Sequence, residues 1–278
     1  VQTLHVAAAL PDGVDRLSGV VPNQLTEARH RVVEALREFR GLPVTLKELV
    51  EAAACGASVV KGLVKLGVVA EEAAPRDTPY PRLGGGKGGR MAGDQVAGGD
   101  ALVADVARGA YTATLLKGVT GSGKTEVYLE AVAECLRAGK QALVLLPEIA
   151  LTAEFLTRVE ARFGARPAEW HSGVTMTERR RLWRMVSEGE AGLVVGARSA
   201  LFLPFRELGL VVVDEEHDTS YKQEDGVLYN ARDMAVLRAA IVGCPVVLAS
   251  ATPSLETWAN VEAGKYRRLD LGSRFGAA

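Results

Sequence analysis

Gly118-Val119-Thr120-Gly121-Ser122-Gly123-Lys124-Thr125 matches the phosphate-loop pattern G-x-x-x-x-G-K-[ST] at every fixed position. A triphosphate needs a concave nest of backbone N–H groups, and glycine lets the backbone come close and take positive φ. Gly118, Gly121 and Gly123 are expected to supply that freedom. Lys124 can then reach the β- and γ-phosphates, and the Thr125 hydroxyl is placed for Mg²⁺. The flanks agree with this reading. Residues 111–117 are a short β-capable run, Val127, Tyr128, Ala131, Cys135 and Leu136 recur at helical spacing, and Gly139 offers a stop. Strand, glycine loop and helix N-terminus, in that order, make a nucleotide site.

Toward the carboxyl end, strands and helices alternate. Residues 141–146, 192–195, 210–213 and 246–249 are short apolar runs of the kind buried in a parallel sheet. Residues 151–163, 175–188, 230–241 and 254–264 read as helices, the second capped by Thr175 and Glu178. The run 210–213 delivers Asp214, Glu215, Glu216 and His217 at its carboxyl end, where α/β sheets carry their chemistry. Asp214 is placed to hold Mg²⁺ and Glu215 to polarise the attacking water as a general base. ATP hydrolysis, rather than nucleotide binding alone, follows from that pair.

The amino-terminal side has a different texture. Residues 1–24 carry no chemistry and are expected to be the remnant of an amino-terminal domain. From residue 25, Ala28, Val32, Val33, Leu36 and Phe39 share a helical face that ends at Gly41. Thr45 and Glu48 form a capping box for a second helix, and a third spans 57–66 and stops at Gly67 before a short strand. Three short helices and a β-edge over 25–74 describe a winged-helix domain. Its third helix offers only Lys61 and Lys65 and no Asn, Gln or Arg to read base edges, so packing or partner docking is favoured. Residues 75–90, with three prolines and Gly84-Gly-Gly-Lys-Gly-Gly89, are expected to be a flexible linker carrying Lys87 and Arg90. The fold class is therefore α/β, a P-loop (RecA-like) doubly wound parallel sheet over 91–278 preceded by a small winged-helix domain.

Composition sets bounds on function. A chain of 278 residues permits about two domains, and 48% hydrophobic residues suffice for a sizeable core. Thirty-three basic against 34 acidic residues leave a net charge of −1, so no global basic field advertises nucleic acid, although a local groove can be basic. Cys55, Cys135 and Cys244 are widely separated in apolar settings, which reads as reduced thiols in a cytosolic protein with no zinc spacing. No signal peptide or membrane-spanning run is visible, and the opening at Val1 suggests processing or excision from a longer chain.

The order P-loop, Asp214-Glu215-Glu216-His217, then Ser250-Ala-Thr-Pro-Ser254 resembles the first motor lobe of superfamily-two, DEAH-type helicases. Leu146-Pro-Glu-Ile-Ala-Leu-Thr152, Trp170-His-Ser-Gly173, Gly196-Ala-Arg-Ser-Ala-Leu-Phe202 and Ser220-Tyr-Lys-Gln223 are similar to motifs of the primosomal replication-restart helicases. The resemblance is dense from about residue 91 to 271 and looser over the winged-helix stretch. It implies an ATP-dependent DNA helicase of replication restart, with hydrolysis coupled to translocation on single-stranded DNA and primosome assembly at stalled forks. ATP and Mg²⁺ are the implied cofactors; the family also binds zinc, for which this chain has no site. The implied partners are single-stranded and forked DNA, single-stranded-DNA-binding protein and primosome proteins, for a cytoplasmic monomer without membrane contact.

By the same resemblance, Lys124, Thr125, Asp214 and Glu215 bind and hydrolyse Mg·ATP, and Gln95 reads the adenine edge. Ser250 and Thr252 link γ-phosphate status to the DNA groove. Glu148, Thr152, His171, Arg198 and Ser199 face single-stranded DNA. Tyr221, Lys222 and Gln223 begin an aromatic-rich loop that closes at Tyr229, Ala231, Arg232 and Asp233; core packing is the alternative for Tyr221. The chain departs from the pattern in three ways. Val227 and Leu228 stand where the family has a bulky aromatic and a basic residue, and Gly98 and Gly99 interrupt the helix expected after Gln95. No second motor lobe with its arginine finger is present, so slow turnover is expected of this chain alone. The competing reading is a non-catalytic DNA-binding, primosome-assembly scaffold. Val227 and Leu228 favour it; the intact P-loop and the Asp214–His217 turn oppose it.

Overall fold

A computed structural model describes residues 5–7, 26–38, 44–66, 68–72, 81, 83–84, 91 and 93–272, which fall in two compact units, 1–78 and 79–278. The smaller unit holds β1 (His5–Ala7), α1 (Glu27–Glu38), β2 (Val44–Thr45), α2 (Leu46–Ala52), α3 (Ala57–Lys65) and β3 (Ala70–Glu72). Its three helices close on Val32, Leu36, Leu49, Val60, Leu63 and Val69. The strands form an antiparallel sheet in the order β2-β1-β3. Residues 5–7, expected in a separate remnant, are thus the central strand: His5 lies opposite both Thr45 and Glu72. Three residues of unremarkable composition cannot announce such a pairing, because the partner strands supply it. Phe39, Gly41 and Gly67 lie outside the described residues.

In the larger unit the elements run α4 (Asp94–Arg108), β4 (Ala113–Gly118), α5 (Lys124–Arg137), β5 (Gln141–Leu145), α6 (Ala153–Phe163) and β6 (Ala168–Trp170). They continue through α7 (Met176–Glu188), β7 (Leu193–Gly196), β8 (Leu208–Asp214), β9 (Lys222–Gln223), β10 (Tyr229–Asn230) and α8 (Ala231–Val242). β11 (Val246–Ser250), α9 (Leu255–Glu262) and β12 (Arg267–Leu271) complete it. Seven strands form one sheet in the order β12-β4-β11-β8-β5-β7-β6, every neighbouring pair parallel. Side chains alternate across a strand, and both faces are covered. Leu210 and Val212 of β8 pack with Val127, Tyr128 and Phe163 on one face. Val211 and Val213 pack with Leu182, Met185, Ala235 and Ala239 on the other. β9 and β10 pair separately as a small hairpin.

The sheet places the three carboxyl-terminal motifs side by side. β4 ends in the glycine loop, its neighbour β11 in Ser250, and the next strand, β8, in Asp214. Two strands of this sheet were not anticipated. β6 has three residues, and β12 reads Arg-Arg-Leu-Asp-Leu with only Leu271 buried; Arg267 ties it to the buried Asp105 of α4. Gly98 and Gly99 do not interrupt α4. Both are buried where α4 meets α5, and a Cβ at Gly98 would stand 3.4 Å from Val127 Cγ1. The linker region lies mostly outside the described residues, including Lys87 and Arg90. Within it, however, Leu83 packs on the core of the larger unit and the Gly84 N–H donates to the Phe163 carbonyl at 2.9 Å. These contacts agree with a division of the chain between residues 78 and 79. Cys135 and Cys244 are buried free thiols, which burial pushes up to a pKa of about 12 and about 11.

Candidate nucleotide site and nucleic-acid-facing loops

β4 delivers the chain into a loop in which Gly121 (φ 80°) and Gly123 (φ 86°) take left-handed conformations before α5 starts at Lys124. Gly118 is needed for a different reason from the one expected. Its φ is not positive; instead a Cβ there would sit 2.4 Å from Ser122 Oγ and 2.9 Å from Leu271 Cβ. Lys124 is buried, and its ammonium donates to the Gly118 carbonyl at 2.8 Å, with Val119 O at 3.4 Å. Gln95 is also buried and donates its amide to Ser122 O at 2.8 Å, while a Cβ on Gly123 would meet Gln95 Nε2 at 2.5 Å. It props the loop from below and still lines the cleft beside it. That cleft, about 530 Å³, is bounded by Thr120, Gly121, Lys124 and Thr125 on one side and by Asp214 and Glu215 on the other. Glu126 and Arg158 complete the wall.

Asp214 ends the wholly buried strand β8 and is itself 8% exposed. Burial raises the pKa of its carboxyl; the Tyr128 hydroxyl opposes this by donating to Oδ2 at 2.8 Å. Asp214 Oδ1 accepts from the Glu215 N–H at 2.9 Å. Sequence reasoning missed Tyr128 as anything but a core residue. Its position three residues after Thr125 on the P-loop helix was the available signal, since that spacing faces the neighbouring strands. Glu215 has φ 47°, a left-handed backbone for a residue with a Cβ. Such strain persists only where surroundings enforce it, and it turns Glu215 out of the strand into the cleft.

The rest of the turn splits into two roles. Glu216 is buried and purely connective: it accepts from Ser254 N (2.8 Å), Ser254 Oγ (2.9 Å) and Thr257 Oγ1 (2.8 Å), with Arg232 at 3.6 Å. His217 instead meets Ser250, Nδ1 to Oγ 2.8 Å, and Ser250 Oγ accepts from the Thr252 N–H at 3.0 Å. His217 Nδ1 is also 3.6 Å from Glu215 Oε2. Polar contacts thus line up from the carboxylate in the cleft to the loop after β11, hydrogen-bonded from His217 onward and closed to Glu215 only by the 3.6 Å approach. Mg·ATP suits this donor set. Gly121 and Gly123 take the left-handed φ that a phosphate nest requires, and one hydroxyl with one carboxylate is the usual protein share of a Mg²⁺ shell completed by phosphate and water.

A second cleft, about 350 Å³, gathers several of the residues expected to face single-stranded DNA. Glu148, Arg198, Ser199 and Gln223 line it, joined by Ser172, Arg179 and Tyr229. Arg198 donates to the Ser220 and Lys222 carbonyls, both at 3.1 Å, so it also braces the loop before β9. Ser199 Oγ accepts from Trp170 Nε1 at 3.0 Å. Glu148 accepts from Ser172 N at 3.0 Å, and its bonds to Ser172 hold its pKa below the usual carboxylate value. Lys222 is exposed beside Glu224. Thr152 and His171 lie outside this cleft. Thr152 caps α6 by accepting from Phe155 N, and His171 lines an adjoining groove with Glu169 and Arg181. Tyr221 borders the same cleft, yet it is 1% exposed and its hydroxyl lies 2.6 Å from Asp214 O and 3.0 Å from Leu145 O, which favours the core-packing alternative. A ring enclosed in that way cannot stack on a base. It fastens the ends of β5 and β8 together instead.

The model of the DEAD/DEAH box helicase family matches residues 101–261, more than half of the chain. The chain is 52% identical over 162 residues to the replication restart protein PriA of Rickettsia felis, covering 58% of this chain and 25% of that protein. With PriA of Synechocystis the identity is 39% over 259 residues, covering 92% of this chain and 31% of that one. The chain therefore spans about a quarter to a third of the length of these relatives. Among solved structures, RecG bound to a three-way DNA junction shares the fold, with a TM-score of 0.51, 20% identity and coverage of 68% of this chain and 25% of that one.

Proposed function

Because the chain belongs to the DEAD/DEAH box helicase family, we propose that it is an ATP-hydrolysing motor lobe of a replication-restart DNA helicase. The observation that carries this reading is the single cleft shared by the glycine loop and the Asp214–Glu215 turn. In it Lys124 leaves its carbonyl partners to hold the β- and γ-phosphates, and Thr125 and Asp214 hold the metal. Held there, Mg²⁺ would supply charge neutralisation at the γ-phosphate. Glu215, on its strained turn, takes the proton of the attacking water. His217 and Ser250 pass any movement of Glu215 to Thr252. Gln95 supports the loop and meets the base edge. Glu148, Arg198, Ser199, Lys222 and Gln223, with Thr152 and His171 at the margin, face single-stranded DNA, where guanidinium groups and hydroxyls suit phosphate.

Of the remaining assignments, the first rests on the pattern of three short helices and a β-edge, and the others on the family resemblance of the motifs. They are a winged-helix character for the smaller unit, primosome proteins and single-stranded-DNA-binding protein as partners, and forked DNA as substrate. No described helix is long and apolar enough to cross a membrane. Calorimetry with Mg·ADP tests the site: Lys124→Ala is expected to lose at least ten-fold in affinity. In a protein that carries both motor lobes, Glu215→Gln is expected to keep that affinity and lower DNA-stimulated phosphate release by 10²–10⁴-fold, the usual range for a general base; in this chain alone, already slow, it is expected to change little. Equal binding by wild type and Lys124→Ala would refute the site. One observation favours the scaffold reading: Val227 and Leu228 are 81% and 72% exposed at the tip between β9 and β10, with no cation or aromatic ring there. Nucleotide binding without turnover in the presence of single-stranded DNA, by a protein that carries both motor lobes, would support it.

A further inference from the structure

Arg158 stands on α6, far in sequence from both nucleotide motifs, yet it lines the same cleft as Lys124, Thr125, Asp214 and Glu215. Its partner is Glu126, the residue immediately after Thr125. Arg158 Nε and an η-nitrogen both reach Glu126 Oε1 at 2.8 Å. A second arginine of α6, Arg162, holds the other oxygen of the same carboxylate at 3.1 Å and also reaches Glu130 at 2.8 Å. The two arginines differ in burial. Arg162 is 5% exposed and shared between two carboxylates, whereas the Arg158 side chain is 51% exposed. Arg162 therefore remains paired if Arg158 leaves. Arg158 is a forked cation at the rim of a phosphate cleft, held on a carboxylate that has a second, buried counter-ion.

We infer that Arg158 is a nucleotide-binding residue that exchanges Glu126 for the polyphosphate of the bound nucleotide, while Arg162 retains Glu126. The inference rests on the nucleotide reading of the cleft. A guanidinium forks onto phosphate oxygens as readily as onto a carboxylate, so the exchange replaces one charge-assisted pair by another. Glu126 then acts as a competitor, and the strength of its hold on Arg158 sets nucleotide affinity.

Mg·ADP binding measured by calorimetry on the whole chain tests the exchange through a double-mutant cycle. Arg158→Ala is expected to weaken binding about ten-fold, with Arg158→Lys between it and wild type because the charge stays but the fork is lost. Glu126→Gln is expected to tighten binding several-fold when Arg158 is present and to have no effect when residue 158 is alanine. A Glu126 carboxylate that merely repels the phosphates would give the same tightening in both backgrounds, which would overturn the exchange. So would Arg158→Ala or Arg158→Lys binding as tightly as wild type while Lys124→Ala does not. Wild-type protein that binds no Mg·ADP would instead remove the nucleotide reading and this inference with it. Thermal melting of each variant separates loss of the fold from loss of affinity, and Arg158→Lys serves if alanine fails to fold.

Discussion

Asp214 is a carboxylate enclosed at the end of a strand, satisfied by a tyrosine hydroxyl and a backbone N–H but by no cation within the described hydrogen bonds and ion pairs. Desolvation is the largest influence on it, so its native pKa lies above its value in the unfolded chain. The sign of the linkage follows. Between the ordinary carboxylate value and the raised native one, the folded protein holds a proton that the unfolded chain has released. Stability therefore falls as pH rises through that window, and above it the ionised group is a standing penalty. Asp214→Asn removes the charge and keeps a group that can meet both Tyr128 and Glu215 N. It is expected to raise the neutral-pH melting temperature of the nucleotide-free protein by about 2–4 °C, corresponding to about 1 kcal/mol. The gain should vanish at pH 3, and Mg²⁺-dependent turnover should be lost at every pH. Melting curves at pH 7 and pH 3 check the sign, and an equal shift at both would show that burial does not control this carboxyl.

At the scale of elements, α4 carries two glycines in its interior, where each costs about 1 kcal/mol against alanine when nothing else intervenes. Their place in the fold is the contact with α5. The contacts that a Cβ would make at Gly98 are ordinary ones, 3.4 Å to Val127 Cγ1 and 3.6 Å to Leu271 Cδ2. Gly98→Ala is accordingly expected to stabilise the larger unit by about 0.5–1 kcal/mol. Gly98→Leu should destabilise it by about 1–3 kcal/mol, because the added atoms must enter a filled interface. Urea titration reads both. A destabilising alanine would mean that α4 and α5 lie closer than the contact distances state. Gly118 is the opposite case: there a Cβ meets Ser122 Oγ at 2.4 Å, and the glycine loop has no room for it.

For the molecule as a whole, the apolar residues divide into a core inside the smaller unit and two that cover the faces of the seven-stranded sheet. Val32, Leu49 and Leu63 belong to the first; Val127, Leu210 and Leu182 belong to the others. Each unit thus has its own source of cooperativity. Two calorimetric transitions are expected. Adding saturating Mg·ADP should raise only the one assigned to residues 79–278, by mass action on the native state of that unit alone. A shift of both, or one transition throughout, would show that the units unfold together.

The sequence by itself determined what depends on residues close together in the chain. Lys124 and Thr125 had to open a helix after a glycine turn, and the apolar runs before Asp214 and at 246–249 had to be buried strands, because spacing and composition dictate both. The tertiary structure alone decided what depends on the partner. Tyr221 looks like a stacking aromatic beside Lys222, and only the carbonyls of Leu145 and Asp214 make it a buried fastener. Gly118 fits a motif without revealing that Ser122 and Leu271, not dihedral freedom, exclude a side chain. β1 and β12 become strands because neighbours offer them an edge, in segments with little apolar alternation of their own. Tyr128 against Asp214 and Arg158 against Glu126 are separated by 86 and 32 residues; no local pattern joins them, and the order of parallel strands brings them together.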